Sequence, residues 1–139
     1  MPPRDANTRI KFEDLDFESL PNGRCRSKVT LAWDESNRFV GTAEGVSSEI
    51  GMLRCAAEAT ALALEEAVAG RVHLELLGVT TIKAFDTVVV VASLESHFSD
   101  HAQRVVGSSV IEGNPPGAAV RAVLSATNRL LGNNLVFLR

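Results

Sequence analysis

Two short runs constrain the fold of this chain more than anything else in it. RFVGTAEG occupies residues 38–45 and RVVGSSVIEG occupies residues 104–113. In each, Arg is followed by a bulky apolar residue, Val and Gly, and each run leads into an Ala-rich stretch. A glycine inside a strand marks a bend or the close approach of another backbone. An alanine-faced helix is the element that can come that close, and a larger residue on its face, at Ala57 for example, would overpack the contact. The chain is therefore expected to be one unit built twice. Gly41 and Gly107 should hold equivalent strand positions, with Gly45 and Gly113 at the exits towards the helices, and a pseudo-twofold axis should relate Arg38 to Arg104.

The stretches between these runs fill in the unit. In SKVTLAWDE, Val29, Leu31 and Trp33 alternate with Lys28, Thr30 and Ala32, the period of a half-buried strand. Residues 34–37, DESN, are turn formers, and RFVGTAE resumes extended structure, so the two strands form a hairpin. In the long stretch that follows, Ser47 or Ser48 caps a helix and Gly70 ends it. Leu53, Ala56, Ala57, Thr60, Leu64, Ala67 and Val68 recur at helical spacing, with Arg54, Glu58, Glu65 and Glu66 mostly on the other side. RVHLELLGVTTIKAF and DTVVVVASLES then read as strands that part near Phe85 and Asp86. Four consecutive valines from Val88 predict a central strand covered on both faces. HFSDHAQ is a polar turn and RVVGSSVIE the returning strand. Asn114 stands at a cap position, prolines fill the first turn, and Ala119, Ala122, Val123, Ala126 and Leu130 form the stripe of a second helix ending at Gly132.

The expected fold is α+β: a single antiparallel sheet of about five strands, two helices packed on one face, and a degenerate strand-strand-helix repeat. Residues 1–26, where Phe12, Leu15 and Phe17 stand isolated among charges, read as a poorly ordered arm. Residues 27–139 read as one domain, with repeats over 27–70 and 71–132 and a short tail over 133–139. A length of 139 residues suits a single domain with a small core. With a net charge of −3 and 14 scattered basic residues, the chain lacks the clustered positive charge that nucleic acid or an anionic membrane requires. Cys25 and Cys55 are too few for a disulfide framework and read as a loop thiol and a core thiol in a reducing compartment. There is no signal-peptide-like or membrane-spanning apolar run, so a cytoplasmic protein is expected.

The polar side chains offer several sites, each with a plainer reading beside it. His97 and His101 flank a turn containing Asp100, which could supply metal ligands, but their spacing suits a solvated loop better, and no metal or cofactor is expected. His73 and Glu75 should share one strand face, where cross-strand pairing is favoured over an acid/base dyad. Glu58 could act as a general base, yet Arg54 lies four residues before it and forms an ordinary helical ion pair. The serines at 47, 48, 108 and 109 do not form a nucleophile elbow, and neither glycine run is a phosphate loop. Two capped helix starts remain as modest anion sites. Ser47, Ser48, Gly45, Gly113 and Asn114 are accordingly the ligand-binding candidates, with a small carboxylate as the expected kind of ligand.

Three families resemble parts of the chain. RVVGSSVIEGNPPGAAVRAVLSATNRLLG resembles the closing strand, glycine turn and Ala-spaced helix of the C-terminal regulatory domain of 2-isopropylmalate and citramalate synthases. LELLGVTTIKAF resembles that domain's preceding strand. The resemblance spans residues 29–131 and implies a duplicated strand-and-helix module that dimerises and binds an effector. KAFDTVVVV stands where that family carries its Gly-rich effector loop, so the resemblance bears on the fold more than on the effector site. Residues 48–131 are also similar in outline to a double-stranded-RNA-binding domain, but GNPPGAA replaces the lysines that grip phosphate there. AAEATALALEEA looks like the central helix of a hotdog thioesterase, which would make Glu58 catalytic. The resulting expectation is a non-catalytic regulatory or assembly module that forms a homodimer and binds a small molecule. A hotdog-like acyl-thioesterase and a protein-interaction adaptor without a ligand are the alternatives.

Overall fold

In a computed structural model, residues 10–131 are described, and the side chain of Arg129 is not among the described parts. Residues 1–9, Gly132 and the expected tail lie outside this range. Six strands and two helices follow in order: β1 (Lys11–Leu20), β2 (Arg24–Ala32), β3 (Arg38–Val46), α1 (Glu49–Ala67), β4 (His73–Ala84), β5 (Thr87–Phe98), β6 (His101–Val110) and α2 (Pro115–Leu131). They make two antiparallel three-stranded sheets, ordered β1-β2-β3 and β4-β5-β6. The α+β class is as expected, whereas the single five-stranded sheet is not what forms. Each half is instead a complete three-stranded meander followed by a helix.

The difference comes from β1, which lies in the segment expected to be a poorly ordered arm. Its pairing with β2 shifts register between Phe12 and Asp14, so Glu13 is bulged out of the ladder. Phe12, Leu15 and Phe17 then all pack towards the core, although the three-residue step from Phe12 to Leu15 hides the period of two. The other side of β1 carries Asp14, Asp16 and Glu18, charges suited to an edge strand. Asn22 and Gly23, with φ of 66° and 70°, make the tight turn into β2. Two consecutive left-handed residues of this kind match the twist of a hairpin.

The two glycines that opened the sequence argument do hold equivalent places, on the third strand of each half. A Cβ added at Gly41 would lie 1.9 Å from the Ala59 carbonyl oxygen and 2.5 Å from the Ala63 nitrogen. At Gly107 the same atom would lie 2.2 Å from both the Ala122 oxygen and the Ala126 nitrogen. In both halves the helix backbone rests directly on the strand, which only glycine facing alanine permits. α1 packs on β2 and β3, α2 packs on β5 and β6, the helices touch each other, and α1 also reaches β4. Burial follows: Ala56, Ala57, Ala59 and Ala63 of α1, and Ala118, Ala119 and Ala122 of α2, are fully enclosed with Val29, Leu31, Leu64, Val90 and Leu94.

Local chemistry sets the element ends. The Ser48 side chain accepts the Gly51 N–H at 3.1 Å, the N-cap foreseen for α1. Gly70, at φ 75°, donates its N–H to the Glu65 carbonyl and closes the helix. The Asp34 carboxylate accepts N–H groups from Ser36 and Asn37, fixing the turn between β2 and β3. Phe85 and Asp86, both at positive φ, turn β4 into β5. The expected polar turn at residues 97–103 shrinks to Ser99 and Asp100, since β5 runs to Phe98 and β6 begins at His101. Cys25 and Cys55 are both free and buried, so Cys25 is a core thiol rather than a loop thiol. Burial raises the Cys55 thiol above its usual pKa, against the opposing hydrogen bond with Ser27.

The outer faces of the two sheets differ sharply. On β1-β2-β3, Arg26 is bonded at 2.9 Å to both Glu18 and Glu44, and Lys28 lies between Asp16 and Thr42. Leu31 points inwards and is fully buried. On β4-β5-β6, Val89 stands between Ile82 and Val110, and Val91 and Val106 continue the same face. The strand of four valines is central, as expected, but only its Val90 side is buried within the chain. Among the described residues, no helix is long and apolar enough to cross a membrane.

Candidate functional site

The starts of α1 and α2 converge on a cleft of about 650 Å³, lined by residues of both halves. The first half contributes Phe17 from β1 and Ile50 and Leu53 from the first turns of α1. From the second half come Val88 on β5, Ile111 after β6 and the Pro115–Pro116 pair that opens α2. The cleft exists because Ser48 and Asn114 start two helices beside each other, and because the β4–β5 hairpin extends past the helix starts. Its size and mostly apolar lining, with a few polar groups, are those of a small-molecule site.

Three polar side chains reach this space: Glu49, Thr81 and Asn114. Their chemistry alters the expectation of a bound carboxylate. Ser48 already satisfies the Gly51 N–H of α1, and α2 opens with two prolines that have no N–H to offer. Glu49 adds a negative charge to the first turn of α1. An anion gains little from such a rim, whereas an ammonium or hydroxyl group can meet Glu49, Thr81 and the Asn114 amide.

Of the five ligand-binding candidates, Asn114 lines the cleft and the other four do not. Ser48 is the α1 cap, and the Ser47 N–H donates to the Gly23 carbonyl at 2.9 Å. Gly45 faces the Cys55 side chain, and Gly113 supplies a left-handed turn residue at φ 81°. The apolar lining went unforeseen because it joins side chains far apart in sequence. Its one local signal was Ile50, an apolar residue on the exposed side of the first turn of α1.

Glu58 pairs with Arg54 at 3.7 Å, as its helical spacing implied. It borders a small cavity of about 150 Å³, shared with Glu65 and His73. His73 and Glu75 share a strand face, as expected, and His73 lies opposite His97 on β5. His97 meets Glu75 and Glu95, while His101, at the start of β6, lies opposite Phe98. No protein-family model matches the sequence, and no curated protein matches it.

Proposed function

We propose that this chain is a non-catalytic regulatory or assembly module that binds a small metabolite in the cleft between the two helix starts and pairs with a second copy of itself. The observation that carries this reading is the composition of the cleft, with Phe17, Ile50 and Leu53 from one half meeting Val88, Ile111 and Pro116 from the other. A ligand held there ties the halves together, so its binding energy adds to the stability of the folded state. The lining suits a branched or cyclic apolar body carrying an amino or hydroxyl head. Self-association is supported by the outer face of β4-β5-β6, where Ile82 is 49%, Val110 41% and Val106 60% exposed. Apolar side chains gathered on one sheet face mark interaction surfaces.

The test is a thermal-shift screen against amino acids, amines, hydroxy acids and their apolar analogues. A native-state ligand at about 100 times its Kd stabilises by roughly 2.7 kcal/mol, a shift of several degrees in a domain of this size. The shift should disappear in Thr81→Trp, which fills the cleft from an exposed strand position. A flat response across the panel, or a shift that survives Thr81→Trp, overturns the proposed site.

A further inference from the structure

A second constellation lies on the outer face of the β4–β5 ladder, built from residues that play no part in the cleft. The register puts His73 opposite His97 and Glu75 opposite Glu95, and the i, i+2 spacing on each strand keeps all four on one face. Like charges directly opposed across a ladder repel; Arg104 of β6 stands opposite Glu95 on the far side, and an imidazole lies on the side towards Glu75. The His97 imidazole sits there, with Nε2 3.2 Å from Glu95 Oε1 and 3.5 Å from Glu75 Oε1. One ligand atom from each of Glu75, Glu95 and His97 lies within 4.8 Å of the others. Small side-chain rotations can bring such atoms to the roughly 2.0–2.2 Å at which nitrogen and oxygen bind zinc.

The fourth residue is arranged as metal-binding histidines are. His73 Nδ1 lies 2.8 Å from Glu65 Oε2, and that same oxygen accepts the Leu74 N–H at 2.7 Å. A carboxylate fixed in this way can accept a hydrogen bond from the histidine Nδ1–H, the support that ligating histidines characteristically have. The His73 and His97 rings are stacked, with centroids 5.8 Å apart. One or two imidazoles with two carboxylates favour zinc, cobalt, nickel or manganese over calcium and magnesium, which prefer oxygen alone.

We infer that the His73–Glu75 and Glu95–His97 ends of β4 and β5 form a binding site for a divalent transition-metal ion. Glu75, Glu95 and His97 are its ligands, and His73, oriented by Glu65, is available as the fourth.

The full chain, without an affinity tag and stripped with chelator, should take up one equivalent of Zn²⁺ by calorimetry. It should give the visible absorption of low-coordinate Co²⁺, and Zn²⁺ should raise its Tm. Glu95→Gln and His97→Asn should each weaken Zn²⁺ binding at least tenfold, and Glu65→Gln should weaken it by a smaller factor. His101→Asn, on the neighbouring turn, should leave binding unchanged. Far-UV circular dichroism establishes that each variant is folded, and either ligand variant suffices if the other is not. The inference is overturned if Zn²⁺ uptake does not saturate, if Glu95→Gln and His97→Asn bind as the parent does, or if His101→Asn loses as much affinity as they do.

Discussion

At Gly41 and Gly107 the space for a β-carbon is taken by helix backbone, which cannot swing aside as a side chain can. Overpacking a core costs about 1–3 kcal/mol, and a clash with main chain belongs at the upper end of that range. Gly41→Ala and Gly107→Ala should therefore destabilise the protein by similar, large amounts in urea denaturation. Gly78→Ala should cost little, because nothing lies within 4 Å of its added carbon and its φ is ordinary. Equal effects at 41 and 107 would express in energy the equivalence that the two glycine runs suggest. These positions were legible because one residue type answers one physical demand. The cleft was not: Phe17, Thr81 and Ile111 become neighbours only after two sheets and two helices have packed, and no local pattern records that.

Strands and helices were legible wherever a regular period survived. α1 announced itself by its cap, its alanine stripe and its closing glycine, and the β2–β3 hairpin by alternation around a turn rich in Asp and Asn. β1 was hidden by its own bulge and by a charged outer side that resembles a solvated tail. The missing strand then turned two sheets of three into an expected one of five. Leu15 tests its importance, since a tail would tolerate truncation there while a strand packed on the core would not. Leu15→Ala should cost about 2 kcal/mol, the low end for deleting a core leucine because this one is only half buried. Equilibrium urea unfolding will read that difference. The same reasoning explains why the β4–β5 turn was found: Phe85 and Asp86 break two long β-branched runs even though neither is glycine.

For the molecule as a whole, the decisive asymmetry lies between two sheets of the same design. One turns the Arg26–Glu18–Glu44 cluster to solvent, and the other carries valine and isoleucine at the end of its face away from the His73–His97 pair. Light scattering at increasing concentration should show a dimer for the parent chain and a monomer for Val106→Glu, which puts a charge at the 60% exposed valine of the apolar face. A parent chain that stays monomeric at high concentration would remove the assembly half of the proposed function. Among the described residues, the larger apolar face lies on one sheet, which bears on how far association can go. When a surface meets its own copy about a twofold axis, each partner covers the same patch of the other. What would remain outside on the first sheet is the Arg26–Glu18–Glu44 cluster with Lys28, Thr42, Val40 and Val46 around it. If the chain pairs as proposed, growth is expected to end at the dimer, and a parent chain that forms larger species in light scattering would contradict this.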